Sequence, residues 1–203
     1  MKQYYRDLPH IQPVYAIFFV TARLHGSLPM AVLEQLREEQ TRANLLDNQQ
    51  TKVDKVNQRK RDFARFDTCL DNPQNGPYWL AKPAVANVLM EAIRYRHDVH
   101  FELVAFCVMS NHYHLVIDTR RLGVSTRPLH RILQSLHAYV AKSANVLLER
   151  SGTFWHDESC DHIVRDDREL RRIIEYTLEN PVKAGLVDEW EKWPYSYVNK
   201  AYW

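Results

Sequence analysis

Two periodicities divide the chain. Short apolar runs, whose successive side chains would face opposite ways, alternate with longer stretches in which apolar residues recur every three or four positions. The run from 14 to 23 is apolar and aromatic, and His25-Gly26-Ser27-Leu28-Pro29 breaks it, which predicts a first strand. Residues 31 to about 44 carry helix formers with Leu33 and Leu36 in helical spacing. The polar patch Asn48-Gln49-Gln50-Thr51 follows, then a second charged helical stretch ending near Phe66. The segment at about 31–70 therefore predicts a helical insertion at the surface rather than core.

Asp71-Asn72-Pro73-Gln74-Asn75-Gly76-Pro77 is the densest turn cluster, and 83–97 after it reads as an amphipathic helix with Val85, Val88, Leu89 and Ile93 inward. A strand at 101–108, a tight turn at Met109-Ser110-Asn111 and a strand at 112–117 form a hairpin. A long helix spans 128–150, its face drawn by Leu129, Ile132, Leu133, Leu136, Val140 and Ala144, and Gly152 is the expected stop. A strand at 159–164 precedes a helix from about Asp167 to Asn180, where Pro181 is expected to prevent continuation. The order βαββαβ plus an extra helix predicts an α+β fold, a ferredoxin-like antiparallel sheet with helices on one face. From about 186 an aromatic carboxy-terminal extension, with Trp190, Trp193, Tyr195, Tyr197, Tyr202 and Trp203, reads mainly as a cover on the sheet. Stacking of unpaired bases is its alternative use.

Composition narrows the class. The 203 residues fit one domain, and 45% apolar and 11% aromatic residues suffice for a core. No stretch approaches the roughly 20 apolar residues that span a bilayer, and Met1-Lys2-Gln3-Tyr4-Tyr5-Arg6-Asp7 lacks a signal-peptide core, so a soluble cytoplasmic protein without a membrane partner is expected. Cys69, Cys107 and Cys160 have no zinc-type spacing and are expected as free thiols. A net charge of +2 is too mild to indicate nucleic acid by itself. The local distribution says more. Lys52, Lys55, Arg59, Lys60, Arg61 and Arg65 cluster in the insertion, where a solvated helix face explains them equally well. Arg165, Arg168, Arg171, Arg172 and Lys183 bracket the last helix, and Arg127, His130 and Arg131 open the long one.

The chemistry concentrates in two places. On a strand, His112 and His114 project from one face and Tyr113 from the other. Two imidazoles held side by side make half of a divalent-metal site, although the same pattern suits histidines satisfied by neighbouring backbone groups. On the last helix, Tyr176 and Asn180 are four residues apart and lie one above the other, a phenol nucleophile beside an amide oxygen. Tyr139 on the long helix is the rival tyrosine, and core packing is the plain alternative for both.

Asn111-His112-Tyr113-His114, followed by Glu175-Tyr176-Thr177-Leu178-Glu179-Asn180-Pro181-Val182-Lys183-Ala184-Gly185, resembles the single-tyrosine transposases of the HUH nuclease superfamily, and among them the REP-associated tyrosine transposases. The resemblance also takes in Leu8-Pro9-His10-Ile11-Gln12-Pro13, Phe18-Phe19-Val20-Thr21 and Gly76-Pro77-Tyr78-Trp79-Leu80. Ser110 stands where the family usually has proline, Tyr113 where it has a smaller aliphatic residue, and Cys160 where relatives more often carry an aromatic one.

The resemblance implies a metal-dependent single-strand DNA endonuclease and strand transferase. It would act beside hairpins of repetitive extragenic palindromes (REP) through a 5′-phosphotyrosine. It assigns Tyr176 as nucleophile and His112, His114 and Asn180 as ligands of Mg²⁺ or Mn²⁺. Phosphate contacts are expected from Arg131, Arg165, Arg171, Arg172 and Lys183. Insertion-sequence relatives pair the histidines of one subunit with the tyrosine of another, whereas REP-associated ones can act alone, so monomer and homodimer are both open with the monomer preferred. A hairpin-DNA-binding or regulatory protein of the same fold whose chemistry has lapsed is the alternative.

Overall fold

The computed structural model describes residues 15–29, 31, 32, 34, 35, 38, 41, 68–70, 76–120, 127–157 and 159–203. Most of the insertion expected at 31–70 lies outside the described residues, as does its basic cluster. The described strands are β1 (Ile17–Arg23), β2 (Glu102–Val108), β3 (His112–Asp118), β4 (Cys160–Val164) and β5 (Ser196–Val198), joined in one antiparallel sheet in the order β4-β1-β3-β2-β5. With helices α1 (Pro83–Arg96), α2 (Leu129–Leu147) and α3 (Asp167–Lys183), the first four strands reproduce the expected ferredoxin-like order.

Strand alternation separates two cores. Phe18, Val20, Ala22, Tyr113, Leu115 and Ile117 face α1 and α2, while Ile17, Phe19 and Val116 face Leu170, Ile174 and Leu178 of α3. The two crossover helices thus share one face, and the extra helix takes the other. Each fully buried Leu, Ile or Phe contributes roughly 1.5–3 kcal/mol, so both layers are firmly held. In β2 the register shifts between Leu103 and Ala105. Val104 and Ala105 consequently both join the α3 core, and alternation resumes with Phe106 in the other.

Helix ends depart from expectation at two points. α2 stops at Leu147, and Glu149 takes a left-handed φ of 50°, so the reversal comes before Gly152. Pro181 does not terminate α3 but sits inside its last turn. Lacking an N–H, it forgoes only the bond to the Thr177 carbonyl, and Ala184 N resumes the ladder by donating to Asn180 O at 3.0 Å.

The aromatic extension covers the sheet edge by pairing with it. β5 adds to β2 with Tyr197 opposite Phe106, the two rings stacked at 5.7 Å, and Trp193 Nε1 donates to Val108 O at 3.0 Å. Cys69, Cys107 and Cys160 take part in no disulfide. Among the described residues no helix is long and apolar enough to cross a membrane.

Candidate functional site

The α3-facing side of the sheet gathers the chemistry. Paired residues of neighbouring antiparallel strands share a face, so Cys160, Thr21, His114 and Cys107 form one row across β4, β1, β3 and β2. His112 lies two residues before His114 on the same face, and both are fully buried.

The turn that delivers the histidines is tied down on several sides. Met109 N donates to His112 O (2.9 Å), Leu24 N to Asn111 O (2.8 Å) and Leu80 N to Ser110 O (3.1 Å). Asn111 Nδ2 donates to Leu70 O at 2.9 Å, which leaves Asn111 Oδ1 facing His112 Nδ1 at 2.8 Å. An amide oxygen can only accept, so this network assigns the proton to His112 Nδ1 and the lone pair to its Nε2. His114 Nδ1 lies 2.8 Å from Thr21 Oγ1, and the two Nε2 atoms face each other at 3.2 Å.

That arrangement suits a cation. Two nitrogens each about 2.1 Å from one ion, at a right angle, lie about 3 Å apart. The Thr21 hydroxyl can donate or accept, so it can support His114 in the tautomer that turns the Nε2 lone pair inward. Without an ion, His114 Nε2–H can instead donate to His112 Nε2. Among the described residues no group of three or more His, Cys, Asp or Glu could hold a metal. A third donor drawn from the described residues would therefore be of another type, such as an amide oxygen.

Helix α3 brings the tyrosine. Its start is fixed by Asp166, whose carboxylate accepts from Glu169 N at 2.7 Å, while Glu169 accepts from Arg165 N at 2.9 Å and contacts His162 Nε2 at 3.2 Å. Burial works to raise the Glu169 pKa, but the Arg165 N–H and His162 outweigh it and hold the carboxyl below its ordinary value. Half-buried Tyr176 meets His114 edge to face at 5.7 Å between centroids and Phe19 at 6.2 Å, and Phe19 stacks on His114. Lys183 Nζ lies 4.4 Å from the centre of the Tyr176 ring. Asn180, one turn beyond Tyr176, is 1% exposed.

The structure therefore brings Tyr176 to His114, and Lys183 to Tyr176, within one chain, with Asn180 on the same helix. Other expected residues lie elsewhere. Arg171 is five residues from Tyr176, about 140° around the helix, and so occupies the opposite flank. Arg172 is exposed on the ridge between, and Arg165 is exposed where β4 leads into α3. Arg131 is on α2, across the sheet, and donates to Gln134 Oε1 at 2.9 Å. Tyr139 is 54% exposed on that same helix, away from the histidines. The supporting roles of Thr21 and Asn111 were not singled out from sequence. Their proximity to His114 and His112 depends on strand register and on the turn, and the signal available was their presence inside the two recognised motifs.

No protein-family model matches the chain. Over 109 residues it is 28% identical to a Haemophilus influenzae protein provisionally named REP-associated tyrosine transposase, covering 49% of this chain and 60% of that relative's length. A solved REP-associated tyrosine transposase bound to a REP hairpin aligns with 97% of this chain and 82% of that chain, at TM-score 0.48 and 16% identity. The resemblance carried by the motifs is thus borne out by a transposase relative.

Proposed function

We propose that the chain is a transposase-type DNA-processing enzyme, a metal-dependent single-strand endonuclease and strand transferase with Tyr176 as nucleophile. The observation that carries this reading is the convergence of the His112 and His114 Nε2 atoms, 3.2 Å apart, with the Tyr176 ring 5.7 Å from His114. Structural histidines and a core tyrosine need no such meeting. The transposase relative supports the same class.

His112, His114 and the Asn180 side-chain oxygen would hold Mg²⁺ or Mn²⁺. Once bound, the ion supplies Lewis-acid neutralisation of a non-bridging phosphate oxygen. The chain's own residues do the rest. Phe19 and His114 hold the phenol ring in a fixed orientation, and Lys183 on its face favours negative charge on the phenol oxygen as it attacks. Tyr176 Oη forms a bond to phosphorus, and the bond from phosphorus to the 3′ oxygen breaks. The phenol proton is lost, and the departing 3′ oxygen takes up a proton as it leaves. The phosphotyrosine keeps the energy of the diester, so another 3′ hydroxyl can reverse the step and join a new end.

The substrate we assign is single-stranded DNA beside a hairpin, because attack in line needs an exposed, bendable backbone. One folded chain holds both halves of the site, which favours a monomer. The test is covalent trapping. Native protein incubated with a labelled hairpin oligonucleotide should give an adduct on a denaturing gel. Tyr176→Phe should give none while still binding the DNA, and Tyr139→Phe should behave as native. An adduct surviving in Tyr176→Phe would overturn the assignment.

A further inference from the structure

A groove between α3 and the carboxy-terminal segment has a chemistry that strand cleavage does not use. Arg171 and Glu175, one turn apart on the exposed flank of α3, form one wall, and Ala201, Tyr202 and Trp203 the other, around about 560 Å³. The aromatic wall is held in place. Tyr202 Oη donates to Asp118 Oδ2 at 3.2 Å, and the buried Asp118 carboxylate is gripped by Arg120 Nε and Nη2 at 3.1 and 2.9 Å. Trp190 meets Trp203 edge to face at 6.4 Å, yet Trp203 remains 58% exposed. Opposite, the side chains of Arg171 and Glu175 make no hydrogen bond or ion pair with a described residue.

Few ligands satisfy all three features. A free phosphate would suit Arg171 and be repelled by Glu175. An apolar ligand would cover two charges without pairing them, which is costly. A nucleotide offers a π-face for the indole, a phosphate for the guanidinium and base-edge donors for the carboxylate. Among the bases, guanine alone presents two adjacent donors, N1–H and N2–H, to both oxygens of one carboxylate. Adenine and cytosine offer an exocyclic amine, and thymine a single N–H.

We infer that this groove binds one unpaired guanine of the DNA strand, stacked on Trp203, with its Watson–Crick edge on Glu175 and its phosphate on Arg171. The inference rests on the proposed reading for its source of single strand. Arg171 and Tyr176 are separated by about 7.5 Å along α3 as well as about 140° around it. A strand held at both must cross the ridge that carries Arg168 and Arg172. The guanine is therefore a few nucleotides from the attacked phosphate.

The experiment measures binding of fluorescent hairpin oligonucleotides whose unpaired flank carries guanine, inosine, adenine or an abasic site at each position in turn. Native protein should favour guanine at one position by about tenfold, as a bidentate base contact does, with inosine intermediate because it lacks N2–H. Glu175→Gln should erase that preference, and Trp203→Ala should weaken guanine-bearing DNA by about five- to a hundredfold, as loss of one stacked base does. Covalent trapping is scored in parallel. If trapping fails while the guanine preference and its loss in Glu175→Gln persist, the groove stands and the nuclease reading falls. Equal affinity for all four flanks in native protein, or a preference retained in Glu175→Gln and Trp203→Ala with unchanged thermal midpoints, would overturn the groove assignment and leave the nuclease reading untouched.

Discussion

The Tyr113 hydroxyl lies 2.8 Å from His137 Nε2, so the residue between His112 and His114 ties β3 to α2 on the far side of the sheet. Burial pushes the Tyr113 pKa up and the His137 pKa down to about 4. Both groups are therefore neutral at pH 7, and the phenol donates to the imidazole. Trp155 stacks on His137 at 4.8 Å and meets Tyr113 at 5.4 Å, completing the cluster.

This predicts an acid-sensitive fold. The folded-state pKa of His137, about 4, lies below the unfolded value of 6.5, so the unfolded chain takes up the extra proton first. The contribution is fully present above about pH 6.5 and is lost as pH falls towards about 4. The whole shift implies roughly 3 kcal/mol, and the residual solvent contact of His137 reduces this to about 2 kcal/mol. Urea midpoints across that range should fall for native protein and fall less for His137→Gln, which keeps an acceptor for Tyr113. Parallel curves would assign the acid sensitivity to other groups.

Tyr113→Phe should cost about 1–2 kcal/mol by stranding the His137 acceptor, measured by urea unfolding at pH 7. It should leave covalent trapping nearly intact, because the lost oxygen is on the face away from Tyr176. Loss of trapping at unchanged stability would mean that the two faces are coupled.

Chelation with EDTA should abolish cleavage, and added Mn²⁺ should restore it better than Mg²⁺, whose usual ligands are oxygens rather than imidazoles. His112→Ala and His114→Ala should each eliminate cleavage. Asn180→Ala should be milder, since water can replace one neutral oxygen. Full activity in EDTA would make the imidazole pair structural.

Thr21→Val removes the hydroxyl that supports His114 Nδ1 and keeps the shape of the side chain. Manganese affinity, followed by titration calorimetry, should drop about 10- to 100-fold. An unchanged affinity would show that ring packing by Phe19 orients His114 sufficiently.

Arg172→Ala should flatten the log–log dependence of DNA affinity on salt by about 0.7, one single-strand phosphate, and equally for hairpin and scrambled sequences. Arg131→Ala, on the other side of the sheet, should leave the slope unchanged. Fluorescence anisotropy at several salt concentrations separates the two. Equal flattening by both would mean that DNA also reaches α2.

Much of this was legible in the chain because period and chemistry coincide. A two-residue period is enough to set His112 and His114 on one face of β3 and Tyr113 on the other, and a 3.6-residue period puts Asn180 above Tyr176. What escaped lacked a local mark. The register shift at Leu103/Ala105 is hidden in a run so uniformly apolar that no alternation can break. Pro181 looks like a stop because a proline's effect depends on whether the turn around it is packed, and here Pro181 itself is buried. β5 is three residues long, too short to show a period, and exists because the β2 edge was available to pair. The choice of sheet face for α3, which unites Tyr176 with His114, follows from the whole fold.

The meeting of Tyr176 and His114 within a single chain has a genetic consequence. On the proposed reading, with Tyr176 as nucleophile for the histidines of its own chain, a chain lacking the phenol oxygen and a chain lacking an imidazole should not repair one another, because neither would lend its missing group across to the other's site. Mixing Tyr176→Phe with His112→Ala should yield no complementation at any concentration or ratio. In a cell carrying both an intact and a damaged copy, activity would follow the dose of intact chains in direct proportion.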